Sequence, residues 1–163
     1  MVIISKTQGL GISCEIQIKG DVLHIIGEIN EFVDLKPYHG PNHPDKINLR
    51  GVKLINSIGI NRFFEFAMAW GNRKIQLLEC SQVIIDAINI FPGLLGDPPV
   101  PSRVRSVVLP YYCNLCGKGQ EFLIDVAALD ISKPESLPAP TCCEKMELDG
   151  LFEDFFLFLE CDD

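Results

Sequence analysis

Between residues 12 and 19 the chain reads ISCEIQIK, and Ile12, Cys14, Ile16 and Ile18 fall on every second position. A period of two puts all four on one face of an extended segment, so the stretch predicts a half-buried β-strand. Shorter apolar runs predict strands at about 2–6 and 22–27, with Gly20-Asp21 as the hairpin turn before the latter. Residues 30–43 are interrupted by Pro37, Gly40, Pro41 and Asn42, which leaves room for one helical turn around EFVDL (31–35). KINLRGVKLI predicts a strand at 46–50 with Gly51 at its end, and the apolar run beyond stops at the polar pair Asn56-Ser57.

From Ser57 to Trp70 the period becomes 3.6. Ile60, Phe64 and Ala67 form one face of a helix, and Phe63, Phe66 and Trp70 run beside it as a second stripe. Two stripes fit burial between a sheet and a neighbouring helix, or the stripe of Phe63, Phe66 and Trp70 forms part of a docking surface for a partner protein or a second copy of the chain. Gly71 stands where a helix-terminating glycine belongs. KIQLLEC (74–80) predicts another strand. Ser81 then caps a helix, SQVIIDAINIF, with Val83, Ile84, Ala87, Ile88 and Phe91 inward and Pro92-Gly93 as its stop. Strands followed by strand–helix–strand–helix predict an α/β fold: a mixed sheet with helices packed on it and a right-handed crossover.

Apolar residues make up 47% of the chain and charged ones 22%, a globular composition. The formal charge of −8 is unevenly spread. Residues 1–100 hold 9 Lys/Arg against 10 Asp/Glu, whereas 101–163 hold 5 against 12. With the proline-rich stretch GDPPVPS (96–102), this shift predicts two parts, 1–100 and 101–163. The second should repel phosphate backbones, and its basic groups gather no further than Arg103 and Arg105. No run approaches the ~18–20 apolar residues of a membrane span, and MVIISKTQGLG lacks the basic start of a secretory signal. Seven cysteines, spaced for metal rather than for paired disulfides, add the expectation of a cytoplasmic protein.

Read from its residues, Asn56-Ser57 is a helix start. Either side chain can cap, and the free N–H groups with their partial positive charge would tolerate a phosphate on Ser57. INLRGVKLINSIGINRFFEF followed by KIQLLECSQVIIDAIN resembles the STAS domain of bacterial anti-sigma-factor antagonists and sulfate-transporter tails, over roughly residues 1–100. In that family an Asp-Ser/Thr-x-Gly pattern ends the strand before the long helix, and its hydroxyl is phosphorylated. Ser57 and Gly59 keep the pattern, and Asn56 replaces the acid. The resemblance implies a STAS-like mixed sheet and a protein partner such as an anti-sigma factor or a kinase-like regulator. Asn56, Ser57 and Gly59, with Phe63, Phe66 and Trp70, would then form the binding region.

In the second part, Cys113-x-x-Cys116-Gly117 is followed by a strand-like EFLIDV and by Cys142-Cys143. Two thiolates in a tight turn can share one soft cation, and a glycine lets that turn close. Zinc is the default metal. Cys113, Cys116 and Cys142 lead the ligand set. Cys143 or Cys161 is open as the fourth, with a three-ligand or empty site as the other readings. Ala139 stands where a second CxxC would begin, and adjacent ligands require a strained local backbone. LFEDFFLFLE (151–160) predicts a helix with Leu151, Phe155 and Phe158 on one face and Phe152, Phe156 and Leu159 on the next, suited to clasping the domain. The knuckle, this ending and INSIG together resemble a small group of bacterial proteins that join a STAS-like domain to a C-terminal zinc ribbon.

No nucleophile and base form a catalytic pair. His24 lies in a strand, and His39 and His43 lie in the proline-broken loop YHGPNHP, where an exposed position is expected and a metal pair is disfavoured. GLG at 9–11 lacks the spacing of a phosphate-binding loop. The expectation is a non-enzymatic interaction module, with a nucleotide or lipid sensor as the alternative and a nucleic-acid-binding ribbon behind it.

Overall fold

The computed structural model describes residues 3–9, 12–40, 42–70, 75–91, 93, 103–133, 137–138 and 140–159. Gly71, Pro92, Ala139, Cys161 and the stretch 96–102 lie outside these.

Three strands open the chain, β1 (Ile3–Gly9), β2 (Ile12–Lys19) and β3 (Val22–Ile29). They pair antiparallel, with a two-residue turn at Gly20-Asp21 as the pattern predicts. β4 (Lys46–Ile55) adds parallel to β3, and β5 (Gln76–Leu78) adds parallel to β4, giving the order β1-β2-β3-β4-β5. Cys14, Ile16, Leu23, Ile25, Ile47, Leu49 and Leu77 are buried. Gln17, His24 and Asn48, cross-strand neighbours on the other face, are half-buried. Onto the apolar face pack α1 (Ser57–Met68) and α2 (Gln82–Ile90).

Two details differ from the sequence pattern. The helical turn falls at Lys36–Tyr38 rather than at 31–35. Asn30 Oδ1 accepts the Phe32 N–H and Asp34 Oδ1 accepts the Lys36 N–H, so side chains capture the amides that a turn over EFVDL would use. The strand also does not end at Gly51. A Cβ there would lie 2.9 Å from Ile26 Cγ1, so glycine permits the close cross-strand approach and β4 continues to Ile55. Register shifts after His24 and after Gly27 let ten residues of β4 pair along eight of β3.

The second part builds β6 (Ser106–Tyr112), β7 (Gly119–Asp125) and β8 (Glu147–Leu148), all antiparallel in the order β7-β6-β8. Its start is stitched to the first sheet. Leu77 bridges Val104 and Cys80 bridges Val107, both parallel, with N–H···O bonds of 2.8–2.9 Å in each direction. Glu79, between them, has φ 49° and donates its N–H to Ser106 Oγ. Arg50 of β4 adds a surface link, reaching both Glu79 and Glu121 of β7 at 3.2 Å. The change of charge at residue 101 therefore marks no break in packing: one apolar cluster runs from Cys14 to Phe158.

α3 (Phe152–Phe156), continued by a tighter turn at Leu157–Leu159, closes over α2. Phe155, Phe156 and Phe158 are buried, Phe152 and Leu159 are half-buried, and Leu151 stays 65% exposed. Asn89 of α2 fixes the clasp, donating from Nδ2 to the Asp154 carbonyl and accepting the Phe158 N–H at 3.0 Å. Inside α2, Ile84, Ile85, Ala87 and Ile88 are buried, whereas Phe91, expected inward, is 49% exposed.

Candidate metal centre and helix-start site

The first knuckle folds because Gly117 takes φ 69°, which lets its N–H bond the Cys113 carbonyl at 2.7 Å while Cys113 N–H reaches the Lys118 carbonyl. The second is a small hairpin. Thr141 bridges Lys145, Cys142 N–H donates to the Glu144 carbonyl, and Met146 N–H donates to the Pro140 carbonyl. Its tip presents Cys142 and Cys143. β6 carries one knuckle directly and the β6–β8 pairing positions the other.

The sulfurs of Cys113, Cys116, Cys142 and Cys143 all lie within 4.8 Å of one another. Cys116 and Cys142 are 3.6 Å apart, Cys142 and Cys143 3.9 Å. Thiolates ~2.3 Å from a tetrahedral zinc ion would be ~3.8 Å apart, so the two measured edges bracket the ideal. The residues present fit a metal. Cys143 joins the set, and neither Cys142 nor Cys143 has a positive φ, so adjacent ligands need no left-handed backbone. The hairpin tip brings both adjacent side chains to one centre.

Electrostatics make the cluster asymmetric. The Cys116 N–H bonds the Cys113 sulfur and, against burial and with help from the Leu115 and Cys143 N–H groups, brings that thiol down to about 6. Cys143 is pushed up to about 12 by the Cys116 and Cys142 sulfurs beside it. Four thiolates this close repel, and a bound cation would remove that penalty.

At the start of α1, Asn56 is the cap: its Oδ1 accepts the Gly59 N–H at 2.7 Å, and its own N–H bonds the Ile29 carbonyl. Its Nδ2 donates to Glu31 Oε2 at 2.9 Å, which holds the Glu31 carboxyl below the usual carboxylate range. An aspartate at 56 would oppose Glu31, so an amide suits a side chain that must both cap and bridge. Ser57 is exposed and Gly59 is buried against β3, where an added Cβ would meet the Ile29 carbonyl oxygen at 1.9 Å.

Phe63, Phe66 and Trp70 are 0%, 1% and 4% exposed. They are core, and the docking stripe drawn from them is corrected accordingly. Gly59, Phe63 and Phe66 share the buried side of α1, and Trp70 in the turn beyond it continues the same stripe, so the close approach of Gly59 to Ile29 selects this stripe for burial. The opposite flank is open instead. Ser57, Ile60, Asn61 and Phe64 face Ile90, Phe91 and Gly93 across a groove of about 610 Å³. Phe64 and Ile90, which sequence reasoning did not place on a surface, are 38% and 68% exposed. His39 and His43 are half-buried rather than exposed, the His43 ring meeting Tyr38 edge-on at 6.3 Å. Arg103 is buried, which leaves Arg105 as the exposed member of that basic pair. Among the described residues no helix is long and apolar enough to cross a membrane.

No protein-family model matches this chain, and neither a curated protein nor a solved structure does.

Proposed function

We propose that this chain is a non-enzymatic regulatory module of the STAS type, extended by a zinc ribbon whose metal sits on Cys113, Cys116, Cys142 and Cys143. Zinc would serve structure there, because an all-thiolate set leaves no position for water. The observation that carries the regulatory reading is the division of labour at the helix start. Asn56 makes the cap bond, and the exposed Ser57 is left to serve as a handle. A phosphate on Ser57 would add about −1.5 to −2 charges beside the groove lined by Ile60, Phe64, Ile90 and Phe91, altering which protein docks there.

Affinity capture from native lysate with wild type, Ser57→Ala and Ser57→Asp side by side tests this. The expected result is a partner held by one charge state and lost by the other. Identical partner sets would return Ser57 to a structural role. The groove also favours a second reading, a sensor for an apolar ligand, since among its described lining residues only Ser57 and Asn61 carry polar side chains. A concentration-dependent rise in melting temperature with fatty acids, absent with nucleotides, would support that reading.

A further inference from the structure

We propose that the groove between α1 and α2 receives a basic amphipathic helix of a partner protein. The inference rests on the regulatory reading above and names the chemistry of its partner. The flank of α1 turned away from Gly59 and Phe66 carries Ile60, Phe64 and Met68 at a spacing of four, one above the other. Phe64 and Met68 are 38% and 49% exposed. Across the groove stand Ile90, at the end of α2, and Phe91 just beyond it, 68% and 49% exposed. Apolar side chains scattered singly over a surface need no explanation. Ile60, Phe64, Ile90 and Phe91 instead come from two elements and line one concave surface, which Met68 extends by a turn. A helix laid along α1 would set its own apolar residues, at i, i+3 or i+4 and i+7, against that stripe.

The charge around the groove selects its occupant. None of its described lining residues is charged. Asp86, exposed one turn before Ile90, is the only charged residue of α2. That helix also has no basic residue in its last turn, so the partial negative charge of its end meets no cation of its own. The two charged residues of α1 turn elsewhere. Glu65 lies 3.8 Å from Arg62 and 3.9 Å from Lys36, and those two cations line a separate pocket with Glu31 and Phe32. The groove combines an apolar floor with a negative rim, in a chain of net charge −8. A second copy would bring this rim against another negative chain, and an anionic membrane would be repelled in the same way. A helix with Leu or Phe on one face and Lys or Arg along its margins matches both floor and rim.

The test titrates the full chain into labelled peptides of about 16 residues, roughly four helical turns. One peptide carries leucines at i, i+3, i+4 and i+7 with lysines between them. A second replaces each lysine by glutamate, and a third scrambles the first, keeping its charge but not its stripe. Fluorescence anisotropy should show saturable binding of the basic striped peptide, about 10-fold or more tighter than either control. It should weaken as salt is raised. Phe64→Ser and Ile90→Ser should each weaken it about 10-fold, and Asp86→Lys about 2- to 5-fold, with melting temperature as the check on folding. The comparison of peptides on the wild-type chain stands even if a variant folds poorly. Equal binding of the scrambled peptide, tighter binding of the acidic one, or no binding at all overturns the proposal. So does a dimer of the chain alone, seen in sedimentation and dissolved by Ile90→Ser.

Ser57→Asp is expected to tighten the basic peptide, because its charge joins the rim. Selective binding that Ser57→Asp leaves unchanged supports this occupant and counts against the switch. A lysate partner that follows the charge at Ser57, with no basic peptide bound, refutes this occupant and leaves the switch in place.

Discussion

The sheet of β1 to β5 hides an apolar face beneath two helices, with Leu23, Ile25, Ile47, Leu49, Phe63 and Leu77 all fully buried. β7 offers little of that kind. Glu121 and Asp125 point to solvent, Leu123 is 50% exposed, and Leu115 in the adjoining turn is 71% exposed. The first region can be held by burial at about 25 cal/mol per Å² of apolar surface. The second is too thin to hide enough surface and concentrates four thiols where the first concentrates hydrocarbon. β6 belongs to both, its Val107, Leu109 and Tyr111 buried in the common core while Cys113 follows at its end.

The largest effect should come from removing the zinc proposed for the thin region. Chelation, or Cys142→Ser, is expected to abolish ordered structure in the two turns and β8, because binding of a structural zinc is worth about 10 kcal/mol or more and is spent on folding. Hydrogen exchange should show protection lost around 113–148 and kept in β2 to β4. Loss across the whole chain would break the comparison by showing that the first sheet depends on the metal too.

Next comes the well-packed region, probed at its tightest point. Gly59→Ala would drive a Cβ into the Ile29 carbonyl and is expected to destabilise by about 3 kcal/mol or more, read from the denaturant midpoint. A near-neutral result would mean that α1 lifts easily from β3. The smallest effect is expected at the seam. Asn89→Ala removes two hydrogen bonds between α2 and the clasp, costing about 1–3 kcal/mol and raising exchange in 152–159. Unchanged exchange there would assign the clasp to its phenylalanines alone.

Period-two and period-3.6 patterns were enough to read the strands of the first sheet, its hairpin and both main helices, because alternation reports burial directly. They were weaker where a decision rested on contacts distant in sequence. α1 is apolar on two flanks, and which flank meets the sheet depends on how near the helix can come to Ile29. Gly59 carried that signal, since it shares a side with Phe63, Phe66 and Trp70. Three of the metal-binding candidates were legible from CxxCG and the next cysteine. Cys143 joined them only once the hairpin from Thr141 to Lys145 was seen to bring both adjacent thiols to the cluster. The helical turn at 36–38 was misplaced because Asn30 and Asp34 act on amides two residues ahead, a local competition that hydrophobic pattern does not register. The link across residue 101 left no trace in charge or proline content, because backbone pairing is indifferent to both.

That link governs how the chain can be made and cut. During synthesis, Leu77 and Cys80 emerge well before Val104 and Val107, so one side of β5 waits as an open row of amides and carbonyls until the later segment arrives. A fragment stopped at residue 100 would keep that row open permanently and recruit other strands in its place. Expressing the first hundred residues as a separate unit would therefore yield a sticky intermediate, and a usable shortened form must carry at least the residues through β6.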